Sequence, residues 1–215
     1  PSSPHDGAAR PCARWIKIHP TVHRALTNLY DHPLMSNYRR RFVPGGTYFF
    51  SVHLRDQQSS LLVGQIDLLR AATRLCKKRW PFDIDAAVIL PNKLHMIWTL
   101  PPDDAAYSKR WRLIKSTFSR HCPAPPGCMN GKLRPAEKGI WQRRFWELVI
   151  RDQADYDLHY HLILMAPVTA GLARKPSDWP YTSLHRRRVD LDPRGPKTTA
   201  PFQLVPNPEA AGMTR

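Results

Sequence analysis

The sequence predicts an α+β fold: a ferredoxin-like sandwich with a four-stranded antiparallel sheet, helices on one face and an extra C-terminal helix. Three observations carry it. Residues Ala86 to Leu100, AAVILPNKLHMIWTL, hold two apolar runs joined by Pro91-Asn92. Each run is too short for a buried helix and rich in branched or aromatic residues, the pattern of a tight antiparallel hairpin. Segments of helical period stand before and after this hairpin. The whole order reads strand, helix, strand, strand, helix, strand, helix, so two crossovers surround a central pair of strands.

Taken in order, residues 1–34 show no sustained period and read as a disordered or spurious leader, with Met35 opening the first well-patterned segment. Pro44-Gly45-Gly46 is a turn, and Thr47 to Leu54 a strand. From Leu61 to Trp80 the positions Leu62, Ile66, Leu69, Ala72, Leu75 and Cys76 recur at helical spacing, with Arg70, Arg74, Lys77 and Lys78 on the other side. Pro81 ends this helix, and Phe82 to Leu90 forms the hairpin's first strand. Asp103-Asp104 stands where it can cap the next helix, whose apolar stripe is Trp111, Ile114, Thr117 and Phe118. Residues Pro123 to Lys138 read as a loop, and FWELVI within Gly139 to Asp152 as the last strand. A helix from about Gln153 to Met165 is expected to stop at Ala166-Pro167, because proline disfavours helical geometry in the residue before it. A short helical piece and a Trp-Pro turn follow. This places one domain over residues 35–188 and a disordered tail over 189–215.

The chain has 215 residues, 42% of them hydrophobic, enough for one ordinary core. Its net charge of +16, from 33 Lys plus Arg against 17 Asp plus Glu, makes polyanions the natural partners. No apolar run approaches the ~20 residues of a spanning helix, and no secretory signal is visible. Cys12, Cys76, Cys122 and Cys128 form no CxxC pair, so unpaired thiols in a reducing cytoplasm are expected.

Cations cluster in three places. Tyr38, Arg39, Arg40 and Arg41 precede the first turn; they suit phosphate contact with base stacking, or a solvated basic arm. Lys109, Arg110, Arg112, Lys115 and Arg120 give the second helix a face of a single sign, where a merely solvated face would mix both. Arg143 and Arg144 lie between Trp141 and Trp146, a mixture that serves backbone charge with base stacking or ordinary aromatic packing equally well. On the hairpin's second strand Lys93, His95 and Ile97 share one face and Leu94, Met96 and Trp98 the other. By itself the first set reads as a strand-opening lysine and a satisfied half-buried histidine.

Six stretches together resemble the REP-associated tyrosine transposases, single-stranded-DNA enzymes of the HUH class. They are YRRRFVPGGTYFF (38–50), ILPNKLHMIW (89–98), RWRLIKSTFSR (110–120), GIWQRRFWELVIRD (139–152), APVTAGL (166–172) and WPYTSLH (179–185). The resemblance implies a ferredoxin-like, usually dimeric domain that binds hairpin-forming single-stranded DNA and cleaves it by metal-assisted attack of a tyrosine. That chemistry needs a His-hydrophobic-His pair holding Mg²⁺ or Mn²⁺, and a tyrosine on the final helix with a polar ligand one turn later. Here the first histidine position is Lys93 and only His95 remains. The tyrosine position falls on Leu162 and the polar ligand's on Ala166. A leucine forms no covalent phosphotyrosine link, an alanine ligates nothing, and a lysine cation repels a metal ion. Tyr160 is about 200° around the helix from Leu162, and Tyr156 and His159 are also poorly placed. The resemblance therefore implies a degenerate member that binds hairpin DNA, with no cofactor and His95 a vestigial ligand. An active enzyme using Mg²⁺ or Mn²⁺, an RNA-binding module and a decaying gene product without a role are the alternatives.

Overall fold

The computed structural model describes residues 40–123 and 138–185. The expected leader and tail, Tyr38, Arg39 and most of the loop before Lys138 lie outside them. Within them the order of elements matches the sequence reading. Strands are β1 (Thr47–His53), β2 (Asp83–Ile89), β3 (Lys93–Thr99) and β4 (Trp146–Val149). Helices are α1 (Leu61–Gly64), α2 (Ile66–Arg79), α3 (Tyr107–His121) and α4 (Gln153–Thr169), followed by a 3-10 turn at Pro176–Asp178. The sheet order is β2-β3-β1-β4, every pair antiparallel. This is the ferredoxin-like order, and the first and last of these four strands lie side by side.

One face of the sheet carries the main core. Tyr48, Phe50 and Val52 of β1 and Leu94, Met96 and Trp98 of β3 pack there with Leu69, Ala72 and Cys76 of α2 and Trp111, Ile114 and Phe118 of α3. Trp98 stacks on Trp111 at 4.3 Å between ring centroids and 13° between planes, and Phe50 meets Trp111 edge-on at 5.5 Å. Full burial of one such side chain is worth roughly 1.5–3 kcal/mol. The other face is smaller and is covered by α4, whose His159, Leu162, Ile163 and Pro167 are buried. The last helix is thus set against the face opposite α2 and α3, and the sandwich has three layers.

Local chemistry explains where elements start and stop, including where the sequence misled. The expected Leu61–Trp80 helix is two, because the backbone leaves helical geometry at Gln65 (φ −117°, ψ 35°), just after Gly64. Asp104 does not cap α3. It lies before the N-cap Ala106, accepting from the Ala106 amide at 2.6 Å. Helix α4 does start on an aspartate, with the Asp152 side chain accepting from Asp155 N at 2.8 Å. It does not stop at Ala166: Pro167 lies inside it, buried, and Gly171 at φ +69° turns the chain away just beyond its end. Packing of Pro167 outweighs the hydrogen bond it cannot donate, and the glycine takes the left-handed turn that other residues resist.

The WPYTSLH stretch is more than a turn. Trp179 Nε1 donates to Ile89 O at 2.8 Å, Ile89 N to Tyr181 O at 2.9 Å and Ser183 N to Ala87 O at 2.8 Å. This segment binds the outer edge of β2, satisfying backbone groups that an edge strand otherwise leaves open.

Arg110 corrects another expectation. Placed by the sequence on the cationic face of α3, it is 1% exposed. Its Nη2 donates to Pro81 O and to Asp104 Oδ2, both at 2.7 Å, and Nε donates to Trp80 O at 3.3 Å. The guanidinium ties the start of α3 to the end of α2 and is enclosed, so it offers nothing to a surface ligand. Hydrogen bonding from Arg110 is the main cause that holds the Asp104 carboxyl down at about 2, so its stabilising effect is complete above the ordinary carboxylate range and is lost as the pH falls from there through about 2. Asp104→Asn leaves a buried cation without its counter-charge. The expected cost is about 3 kcal/mol, a fall of about 10 °C in the thermal midpoint at neutral pH by circular dichroism; an unchanged midpoint refutes this role for the pair.

Candidate functional site

The hairpin's polar residues meet a second set from β1. Antiparallel register sets Ser51 opposite His95 and His53 opposite Lys93, and alternation puts all four on the α4 side of the sheet. Ser51 Oγ and His53 Nε2 are hydrogen-bonded at 2.8 Å. The His53 and His95 rings stand 6.4 Å apart, nearly perpendicular, and Phe49 lies between His95 at 5.8 Å and His159 at 4.9 Å. His95 Nδ1 is buried without a hydrogen-bond partner. Burial, with Lys93 and His53 adding positive field, pulls the His95 imidazole down to about 3, so it is neutral at physiological pH.

Leu162 belongs to the stripe of α4 that is buried on this face, 8% exposed, with Ala166 one turn further on. Tyr156 and Tyr160, also a turn apart, stack on one another at 6.1 Å and 11°. The donors on this face are few. His95 offers an orphan nitrogen, but its strand neighbour is the ammonium of Lys93, and His53 is engaged by Ser51. Among the described residues no group of three His, Cys, Asp or Glu side chains is gathered to hold a metal.

The predicted cations divide into those used internally and those left outward. Arg40 Nε pairs with Glu147 Oε1 at 3.3 Å, its Nη1 donates to Ser108 Oγ at 3.0 Å, and its guanidinium lies 4.7 Å over the Phe145 ring. Lys115 Nζ donates to Gln142 O at 2.6 Å and sits 5.6 Å and 5.8 Å over Trp141 and Phe145. Burial lowers Lys115 to about 8, with Arg40 adding to the shift. Arg41, Arg112, Arg120, Arg143 and Arg144 are exposed, and Lys109 is partly so, 3.7 Å from Asp104. These contacts link the residues in series: Ser108 on α3 reaches Arg40, Arg40 and Lys115 share Phe145, and Lys115 holds the strand-side residues beside Arg143 and Arg144. The result is a cationic band with aromatic rings beneath it, running along α3 to the start of β4.

Three participants escaped the sequence reading. His53 lies in an ordinary strand pattern and gains meaning only from its place opposite Lys93. Asp104 looked like a cap. Glu147, in FWELVI, is buried beneath the band, held by Arg40 and 3.5 Å from the Tyr107 hydroxyl. An acid at an inward strand position is the one signal that could have marked it.

The site is thus a ferredoxin-like sheet with a histidine on its central strand, a closing helix across that face and a cationic band from α3 to the start of β4. No family model matches the chain. It is 43% identical over 152 residues to a REP-associated tyrosine transposase of Escherichia coli, covering 71% of this chain and 84% of that one. A Haemophilus influenzae protein assigned to the same family is 40% identical over 153 residues, covering 71% and 87%. The solved structure of a REP-associated tyrosine transposase bound to a REP hairpin is 38% identical, with a TM-score of 0.64 over 80% of this chain and 98% of that one. The chain belongs to the REP-associated tyrosine transposase family.

Burial raises the Glu147 carboxyl to about 7, against the lowering effects of Arg40 and Tyr107. The folded state therefore holds a proton that the unfolded state releases between the ordinary carboxylate range and about 7, and this contribution to stability is lost as pH rises through that window. His95 acts in the opposite sense at lower pH, since its folded value is depressed and the unfolded state binds the extra proton. Glu147→Gln removes only the first effect. Its thermal midpoint should climb relative to the natural protein between about pH 5 and about pH 7.5; a constant difference across that range rejects the assignment.

Proposed function

We propose that this chain binds hairpin-forming single-stranded DNA through the cationic band and does not cut it by tyrosine attack. The observation that carries the binding half is the band itself, matched to a 38%-identical family member whose structure holds a REP hairpin. Exposed Arg112, Arg120, Arg143 and Arg144 meet phosphates, while Phe145 and Trp141 hold the neighbouring cations in place. The silent half rests on Leu162 and Ala166 on α4 and on Lys93 beside His95: no phenol is set where the family's nucleophile position falls, and the donor set lacks the ligands of a divalent ion. No metal cofactor is needed under this reading. A homodimer working in the cytoplasm is part of this proposal. Among the described residues no helix is long and apolar enough to cross a membrane.

Gel retardation tests the binding half. A labelled hairpin should be retarded in EDTA, more strongly than a scrambled strand, with affinity falling steeply as salt rises. Arg143→Ala with Arg144→Ala should reduce the logarithmic salt slope by about 1.5 to 2, as expected for two phosphate contacts. Equal retardation of hairpin and scrambled strands defeats the recognition claim. For the silent half, a 5′-labelled hairpin with Mn²⁺ should give no protein-linked product, and a covalent tyrosine adduct overturns it. Cleavage gained by combining Lys93→His, Leu162→Tyr and Ala166→Asn supports the placement of the three positions.

A further inference from the structure

Phe42 is 55% exposed, the most exposed of the large hydrophobic side chains described. It is not loose: one ring face stacks on the buried Tyr107 at 5.2 Å and 14°, and the Tyr107 hydroxyl donates to the neighbouring Arg41 carbonyl at 3.2 Å. A fixed aromatic platform therefore presents its second face outward. It borders a cleft of about 770 Å³, walled by Pro101 and Pro102 and by Ser108, Lys109 and Arg112 from the first turns of α3. That size falls within the roughly 300–1,000 Å³ range of ligand sites. Ser108 and Arg112 are one turn apart on the same side of the helix.

Of the cations lining this cleft, Arg112 is the exposed one and is the group available to an anion. Asp104, which also lines it, is held by Arg110 and the Ala106 amide and lies 3.7 Å from Lys109, so its carboxylate is compensated within the protein. Asp103 is exposed at the rim, while the exposed Arg112 and the partly exposed Lys109 are the cations that line the cleft. An aromatic face beside cations at the mouth of a polar cleft is the arrangement that takes an unpaired nucleotide: the base stacks on the ring and the phosphate meets the guanidinium.

We infer that the cleft between Phe42 and the first turns of α3 is a binding site for one unpaired nucleotide, its base stacked on Phe42 and its phosphate held by Arg112 and Lys109. The site deepens the hairpin-binding reading, since it adds a separate contact for a base outside the paired stem. It also stands on its own geometry and can be tested apart from it.

Fluorescence anisotropy with a short unstructured oligothymidine tests it directly, in parallel with a flush hairpin lacking unpaired ends. Phe42→Ala should weaken oligothymidine binding about 10-fold, Phe42→Leu, which keeps apolar bulk on Tyr107 without an aromatic face, should weaken it comparably, and Phe42→Trp should restore it. Equal binding by Phe42→Leu and the natural protein shows that Phe42 acts by packing alone and overturns the inference, as does an oligothymidine affinity indifferent to Phe42 or absent altogether. A protein that binds oligothymidine through Phe42 yet ignores the flush hairpin upholds the nucleotide site and removes the hairpin reading instead.

Discussion

The pairing of β1 with β3 is the constraint on which everything else depends. Seven consecutive pairs, from Thr47 opposite Thr99 to His53 opposite Lys93, fix which side chains share a face. Tyr48, Phe50 and Val52 join Leu94, Met96 and Trp98 in the main core, and Ser51 and His53 meet Lys93 and His95 on the other side. Because side chains alternate strictly along a strand, a slip of one residue would send the aromatic set to the α4 side and the polar set into the core. The histidine face exists only because the aromatic core demands this register.

The high positive charge is not all directed outward. Arg110 is consumed in joining α2 to α3, Arg40 is anchored by Glu147, and Lys115 is pinned over two rings. These internal cations give the outer ones a rigid base. Arg143 and Arg144 follow Gln142, whose carbonyl Lys115 holds. A surface charge on a held backbone loses less conformational freedom on contact than one on a free arm.

The fold was legible because its signals are local. The hairpin AAVILPNKLHMIWTL carries its strand lengths and its turn in the residues themselves, and the amphipathic helices declare their buried faces by period. What was not legible depends on contacts distant in sequence. Arg110 looks like any other cation of α3 until the carbonyls of Trp80 and Pro81 and the carboxylate of Asp104 are found around it. His53 has no special neighbours in the chain; the sheet brings Lys93 and His95 to it. Phe42, adjoining a run of arginines, reads as part of a basic arm until Tyr107 is seen beneath it. The end of α4 went astray for the opposite reason: a strong local signal, Pro167, was overridden by burial on the sheet.

The segment from Trp179 to Ser183 has a consequence for how copies of this protein can meet. By occupying the outer hydrogen-bonding groups of Ile89 and Ala87, it seals one margin of the sheet. The opposite margin, β4, is only four residues long. Continuous growth of the sheet from protomer to protomer is therefore blocked on one flank and cramped on the other, so two copies would have to join through side chains rather than by extending a shared ladder.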